Sequence, residues 1–163
     1  MSGAVTGATL AYVRQALAAV GASLPEPGNP VASYRPAVRS GDAVFTSGHL
    51  PLADGAPIIR GVVDDDVLTV ADAAGVAGQA ALAMLASAFA VVAEGDRLRP
   101  VKLTVFVAVA PGFTAIPTVA DGASAILAAA FGELPARSAV GVAALPLGVP
   151  VEVEAILEVV PGP

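Results

Sequence analysis

The sequence contains no cysteine and no tryptophan, and it has a single histidine, His49. The absence of cysteine excludes disulfides, thiolate metal sites and a cysteine nucleophile. With one histidine, a Ser-His-Asp triad has only one possible base, and a zinc site would have to be built mainly from carboxylates. Thiol chemistry is therefore excluded, and few residues are available for a histidine-based or metal-based site.

Basic and aromatic residues are also scarce. Eight Lys and Arg stand against 14 Asp and Glu, the net charge is -6, and aromatic residues make up 4% of the chain. Nucleic-acid binding needs a cationic surface, and single strands are usually bound by stacking on aromatic side chains. We therefore expect no nucleic-acid partner, and this composition disfavours a nuclease.

The chain also lacks the marks of a secreted or membrane protein. Residues 1–20 do not combine a charged start with an unbroken apolar stretch, so they do not resemble a secretory signal. Residues 73–93 are uncharged and about as long as a bilayer-spanning helix, but they are rich in alanine and include Gly75, Gly78 and Gln79. We expect a buried helix here, no membrane partner and a cytoplasmic location.

The 163 residues, of which 56% are hydrophobic, are enough for the core of one domain over 1–163. Periodicity predicts an N-terminal helix and linker over 1–29, followed by a core over 30–160. The predicted elements are, in order, a helix over 6–20, strands over 37–39 and 43–47, a helix over 69–94, a strand over 101–109, a helix over 116–131, and strands over 137–143 and 151–159. This order predicts an α+β fold, with a mixed sheet, two main helices on one face and an extra N-terminal helix.

Arg137 is the only basic residue in the C-terminal third of the chain, and it begins an apolar strand. Side chains alternate along a strand, so Glu152, Glu154 and Glu158 share one face of the following strand. We expect a hairpin through 146–148 to bring that acidic face near the arginine. The pair then fits either a salt bridge at the rim of the sheet or a clamp for a substrate carboxylate, with a glutamate that holds water or moves a proton.

Several short segments carry a resemblance to a known family. They are Tyr34 followed by Gly41-Asp42, the run VFTSGHLP at 44–51, VKLTVFV at 101–107, PARS at 135–138 and VEVEAI at 151–156. In this order they resemble the Rid/YjgF family of reactive intermediate deaminases, formerly named endoribonuclease L-PSP. The resemblance runs from about residue 30 to 159, and its most specific parts are the Thr-Ser-Gly turn and the Arg-Ser…Glu-x-Glu ending.

The resemblance implies a chorismate-mutase-like fold that assembles as a homotrimer. In such a trimer the sheets form a central barrel, and each ligand cleft lies between two subunits. Family members that carry the arginine hydrolyse enamines and imines of small carboxylic acids to 2-keto acids and ammonia. This hydrolysis requires a bound carboxylate, a proton and a placed water, so we expect neither a metal nor a cofactor.

The resemblance also implies roles for individual residues. It implies that Arg137 binds the substrate carboxylate and that Glu152 positions the attacking water, so these two are the predicted catalytic residues. The remaining residues predicted to contact the substrate are Tyr34, Ser47, Gly48, Ser124 and Ala139.

The sequence departs from the family pattern at three of its positions. Ala139 stands where many deaminases have cysteine, Ser124 lies near the place of an asparagine, and His49 replaces the usual glutamine. A lone histidine after a strand end is more typical of a structural residue than of a base. The interpretation therefore keeps two functions open: imine deamination, and a non-catalytic or chaperone-like trimer that binds a small carboxylate in the same cleft.

Overall fold

The computed structural model describes residues 7–27, 33–64 and 68–160. The elements are β1 (Ala8–Thr9), α1 (Leu10–Ala18), β2 (Ala37–Ser40), β3 (Ala43–Thr46), β4 (Leu52–Ala53), β5 (Ala56–Pro57), α2 (Val70–Phe89), β6 (Arg97–Ala108), α3 (Ile116–Phe131), β7 (Ala136–Val142), a 3-10 turn (Pro146–Gly148) and β8 (Val151–Val160). The predicted α+β class with two main helices is confirmed.

The main sheet has the order β1-β6-β8-β3-β2, and β7 also pairs with β6. The β6–β7 pair is parallel and the others are antiparallel, which makes the sheet mixed, as predicted. Both α2 and α3 pack against this sheet, and β4 and β5 form a separate two-stranded ribbon. Along β8 every second residue is buried, so the alternation predicted from its sequence is also confirmed.

The predicted hairpin between the last two strands is wrong, because β6 lies between β7 and β8. Helix α3 connects β6 to β7, and a helical crossover returns the chain parallel to the strand it left. Arg137 is in register with Leu103, which is fully buried under the helices, whereas Glu152 is in register with Phe106. Leu103 and Phe106 point to opposite faces of β6, so Arg137 and Glu152 of one chain lie on opposite faces of the sheet.

Two of the three described helices begin or end at a residue other than the predicted one. Helix α1 begins at Leu10, where the Thr9 side chain accepts a hydrogen bond from the Tyr12 amide, and the predicted start at Thr6 lies outside the described residues. Helix α2 has the predicted capping box, in which Thr69 and Asp72 bond each other's main chain, but it ends at Phe89 rather than at 94. Helix α3 has the predicted bounds.

Helices α2 and α3 cross at very short range. A Cβ atom on Gly122 of α3 would overlap the carbonyl group of Ala74 in α2, so only glycine permits this approach. By length and composition α2 could span a bilayer, but most of its residues are buried between α3 and the sheet. The same length and composition are common in the core helix of a globular fold.

Candidate functional site

Four of the predicted site residues meet at one cavity, which we call the acidic pocket. Its volume is about 620 Å³, and it is lined by Tyr34, Ser47, Gly48, Leu50, Pro146, Leu147 and Glu152. Tyr34 lies before β2, Ser47 and Gly48 follow β3, and Glu152 lies near the start of β8. Because β3 pairs with β8, the turn after β3 is brought beside the first residues of β8.

Gly48 and Glu152 lie side by side in the acidic pocket. A Cβ atom on Gly48 would overlap the Glu152 carboxylate, so the glycine main chain lies directly against that group. The Ser47 hydroxyl donates to the Arg35 carbonyl at 2.7 Å, and the Ser47 amide donates to the Pro36 carbonyl at 2.9 Å. Hydrogen bonds to residues 35 and 36 thus fix the Ser-Gly turn through Ser47, and Gly48 faces the carboxylate.

Partial burial raises the pKa of Glu152 above its ordinary value of 4.5, and the charge of Glu154 adds to this shift. No hydrogen-bond partner of the Glu152 carboxylate lies among residues 7–27, 33–64 and 68–160. A carboxylate with a raised pKa and free oxygen atoms is suited to exchange protons with a bound molecule.

The wall opposite the Ser-Gly turn is formed by the 3-10 turn before β8. Leu147 has a φ of +57°, a left-handed conformation that is unusual for leucine, and its side chain is 47% exposed. The Arg60 guanidinium donates to the Leu147 carbonyl, and the Gly61 amide donates to the Gly148 carbonyl at 2.9 Å. The segment after β5 therefore holds an apolar side chain over the acidic pocket.

A second group of polar residues, which we call the arginine cluster, lies between β7 and α3. Nη1 of Arg137 donates to Oδ1 of Asp121 at 2.7 Å and to Oγ of Ser124 at 2.8 Å. Nη2 of the same guanidinium donates to the Pro117 carbonyl at 3.3 Å. The predicted acidic partner of Arg137 was a glutamate of the last strand, and the structure has Asp121 of α3 instead.

The arginine cluster and the acidic pocket are separate in one chain. Arg137 and Ala139 point toward α3. Glu152, two strands away, points to the opposite face of the sheet, which we call the uncovered face because no described helix packs on it. Ala139 is partly buried against the core and lines no part of the acidic pocket. The structure thus brings together Tyr34, Ser47, Gly48 and Glu152, and it groups Ser124 with Arg137 elsewhere.

Sequence reasoning missed Leu50, Leu147 and Asp121. The first two lie in loops whose approach depends on the chain path, and a left-handed leucine has no sequence signal. Asp121 could have been found from the pattern of α3, since residues three apart on a helix lie on one face and Ser124 was already a candidate. Within the described parts of the chain, no group of three or more histidine, aspartate or glutamate side chains could hold a metal ion.

Comparison with known proteins identifies relatives along most of the chain. The family model described as endoribonuclease L-PSP matches residues 24–159. The curated protein TCP17 of Trypanosoma cruzi is 39% identical over 143 residues, which cover 85% of this chain and 89% of that protein. Helix α1 precedes the segment that the family model matches.

Solved structures show the same fold. Atu1372 of Agrobacterium tumefaciens, a protein described as having unknown function, is 34% identical, with a TM-score of 0.80 and coverage of 92% of this chain and 94% of that one. TdcF of E. coli, solved with bound serine, is 26% identical, with a TM-score of 0.56 and coverage of 82% and 92%. The similarity thus extends to a protein that holds a small amino acid.

Proposed function

Since the chain belongs to the endoribonuclease L-PSP family, also called the Rid/YjgF family, we propose that it hydrolyses enamines and imines of small carboxylic acids to 2-keto acids and ammonia. The observation that carries the proposal is the existence of two incomplete sites. The acidic pocket has a carboxylate and a glycine main chain but no arginine among its lining residues, and the arginine cluster lies elsewhere on the same chain.

We propose that the two groups meet between subunits of a homotrimer. The uncovered face of the sheet carries exposed apolar side chains, including Phe45 and Val140, which are 46% and 39% exposed. Apolar surface of this kind favours association. In the assembled cleft, the acidic pocket of one subunit would face the arginine cluster of its neighbour, so that neither subunit has a complete site alone.

Arg137 would bind the carboxylate of the substrate. A guanidinium has five N–H donors, and the contacts with Asp121, Ser124 and Pro117 use three of them. Nε–H and one hydrogen of Nη2 remain, and Nε and Nη2 form the edge of a guanidinium that can donate to both oxygens of a carboxylate. The contacts with α3 hold the guanidinium plane in place while that edge stays available.

Glu152 would move the protons. A water molecule attacks the carbon of the protonated imine, and Glu152 accepts a proton from this water as the C–O bond forms, which gives the carbinolamine. Glu152 then gives this proton to the carbinolamine nitrogen, and it takes up the hydroxyl proton as the C–N bond breaks, the carbonyl group forms and ammonia leaves. The raised pKa of Glu152 suits a group that must both accept and donate a proton.

A non-catalytic role is the second candidate, because TdcF was solved with serine bound and a bound amino acid does not require turnover. In that case the same cleft would bind a small carboxylate without turnover, in a metabolite-binding or chaperone-like trimer. The two candidates share Arg137 and differ in whether Glu152 performs chemistry.

Calorimetric titration with pyruvate, together with ammonia release from imines generated by an amino-acid oxidase, tests the proposal. We expect Arg137→Ala and Arg137→Lys both to lose binding, at a cost on the order of 2 to 5 kcal/mol, because an ammonium cannot form the two-pronged contact. Glu152→Gln should keep pyruvate binding and lose ammonia release. Arg14→Ala, on the exposed side of α1, is the matched control and should match wild type.

Unchanged pyruvate binding in Arg137→Ala would refute the proposed site. If binding depends on Arg137 but wild type releases no ammonia, the protein is the carboxylate-binding trimer of the second candidate.

A further inference from the structure

The His49 side chain lies between the acidic pocket and α2, and both of its ring nitrogens have partners. Nδ1 is 2.8 Å from the Ser47 carbonyl oxygen, and Nε2 is 2.8 Å from Oγ of Ser87. Ser87 is 4% exposed and is buried in α2. The imidazole therefore connects the main chain of the Ser-Gly turn to a helix of the core.

These contacts fix which nitrogen carries the proton. A carbonyl oxygen only accepts, so Nδ1 must be the protonated nitrogen that donates to Ser47, and Nε2 then accepts from the Ser87 hydroxyl. Burial lowers the pKa of His49 below its ordinary value of 6.5, although the Ser47 carbonyl acts in the opposite direction. The ring is thus neutral at pH 7, with both of its nitrogens satisfied.

The contact with Ser47 also sets the direction of the next amide. There is no cis peptide bond among the described residues, and in a trans peptide the C=O and N–H groups point in opposite directions. The Ser47 carbonyl points to the imidazole, so the Gly48 N–H points away from it. This N–H has no hydrogen-bond acceptor within the described parts of the chain, and Gly48 lines the acidic pocket.

The remaining main-chain contacts hold both sides of this peptide without determining its plane. The Ser47 amide is bonded to Pro36, and His49 exchanges two main-chain hydrogen bonds with Val153, at 2.8 and 3.0 Å. Rotation of the Ser47–Gly48 peptide between these two anchors would turn the Gly48 N–H away from the pocket. Among the described side chains, the imidazole is the group that opposes this rotation, because it forms a hydrogen bond with the Ser47 carbonyl itself.

We propose that His49 is a positioning residue, whose Nδ1–H holds the Ser47–Gly48 peptide so that the Gly48 N–H is presented to a ligand oxygen beside Glu152. Its effect on a ligand rests on the proposed carboxylate-binding function, whereas the orientation of the peptide does not. The role differs from that of a general base, because the ring nitrogens are occupied by the protein itself.

The first test uses the protein without a ligand. His49 is the single histidine of the chain, so the imidazole 15N spectrum of the untagged protein reports on this ring alone. We expect the neutral Nδ1–H tautomer at pH 7. A neutral ring protonated on Nε2 would overturn the proposal, because its Nδ1 could not donate to Ser47.

The second test uses a matched pair of variants at position 49. His49→Asn keeps an N–H at the place of Nδ1 but loses volume, whereas His49→Leu keeps apolar volume but loses the donor. If the ring merely fills space, the Leu variant will resemble wild type in the resonance and the hydrogen exchange of the Gly48 amide. We expect the opposite: the Asn variant retains the wild-type resonance, and the Leu variant loses it. A wild-type Gly48 amide in His49→Leu would overturn the proposal, whether or not any ligand binds.

Pyruvate titration separates this proposal from the proposed function. We expect His49→Leu to bind pyruvate about three- to tenfold more weakly than wild type, as for the loss of one hydrogen bond, and His49→Asn to bind nearly as well as wild type. If wild type binds no pyruvate, the proposed function fails, and the tautomer and the Gly48 amide still decide the role of His49. If His49→Leu binds pyruvate as tightly as wild type does, the positioning role fails and the function of Arg137 stands.

Discussion

Among single residues, Asp121 affects both the orientation of the Arg137 guanidinium and the attraction of that guanidinium for an anion. It is the anionic partner of the guanidinium within the described residues, and its side chain is 67% exposed, whereas that of Arg137 is 25% exposed. An ion pair with an exposed partner contributes about 0 to 1 kcal/mol, so Asp121 orients the guanidinium at little cost. The same carboxylate also repels an incoming anion.

Replacing Asp121 by asparagine should therefore strengthen binding of pyruvate, by about fivefold or less, because a hydrogen-bond acceptor stays while the negative charge is removed. Calorimetric titration measures the change, and it should diminish in high salt. Glu133→Gln, which removes an exposed charge just after α3, is the matched control. Weaker binding in Asp121→Asn would mean that holding the guanidinium outweighs repulsion.

Glu152 should give the folded protein a pH-dependent stability. Its pKa is raised, first by desolvation and then by Glu154, so the folded state binds the proton more tightly than the unfolded state. Wild type then loses stability as pH rises from the ordinary value of 4.5 through the raised pKa, and Glu152→Gln avoids this loss. Urea unfolding across this range should show the stability of the variant, relative to wild type, increasing with pH. A relative stability that decreases with pH would indicate a lowered pKa.

At the scale of elements, the crossing of α2 and α3 positions the arginine cluster, since Asp121 and Ser124 flank the closest point of that crossing. Gly122 lies between them and has no room for a Cβ atom against Ala74. The crossing thus sets how far α3, with the partners of Arg137, lies from the rest of the core. A small residue at one position of α3 has consequences for the site as well as for packing.

Gly122→Ala should destabilise the protein by about 1 to 3 kcal/mol, because separating the helices costs more than the roughly 1 kcal/mol that alanine gains over glycine in a helix. Gly75→Ala in α2 is the matched control, since its added Cβ meets nothing within 4 Å and should stabilise by up to about 1 kcal/mol. Chemical denaturation of both variants measures the difference. Equal stabilisation by the two substitutions would contradict the close crossing.

Across the whole molecule, the described helices cover one face of the sheet and leave the other face open. The uncovered face carries Val38, Phe45 and Val140, which are 41%, 46% and 39% exposed, beside Glu152 and the ion pair of Arg99 with Glu158. A face of this composition is suited to association, with apolar contacts in the centre and charges at specific places. Under the proposed function, the cleft is therefore complete only when subunits associate.

We expect wild type to be a homotrimer at micromolar concentration by light scattering on a sizing column. Phe45→Asp should yield monomers, because a charge would be buried without a partner at the interface. Val20→Asp, at an exposed position just after α1, should leave the trimer intact and serves as the control. A monomeric wild type would remove the basis for a cleft between subunits, and with it the proposed site.

We expect no binding of single- or double-stranded RNA at physiological salt, despite the name of the family. The net charge of -6 and the aromatic fraction of 4% offer phosphate and bases few partners. A gel-shift assay with a salt titration measures this. Submicromolar binding with a steep salt dependence would show that the protein recognises nucleic acid.

Local sequence pattern predicted the main helices and strands and part of the acidic pocket. The bounds of α3, the capping box of α2 and the alternation of β8 follow from backbone periodicity and from hydrogen bonds between residues a few positions apart. The motifs that resemble the family selected Tyr34, Ser47, Gly48 and Glu152, which do surround one cavity. The roles of these residues remain predictions.

Which strands are neighbours and which side chains meet became clear only from the folded chain. Local pattern predicted β7 and β8 as a hairpin, whereas the crossover through α3 places β7 on the far side of β6, and Arg137 therefore meets Asp121 instead of a glutamate. The contact of His49 with Ser87 likewise joins residues 38 positions apart. Strand order and such contacts depend on how whole elements pack, since many arrangements satisfy the same local periodicity and the burial of the complete core selects one of them.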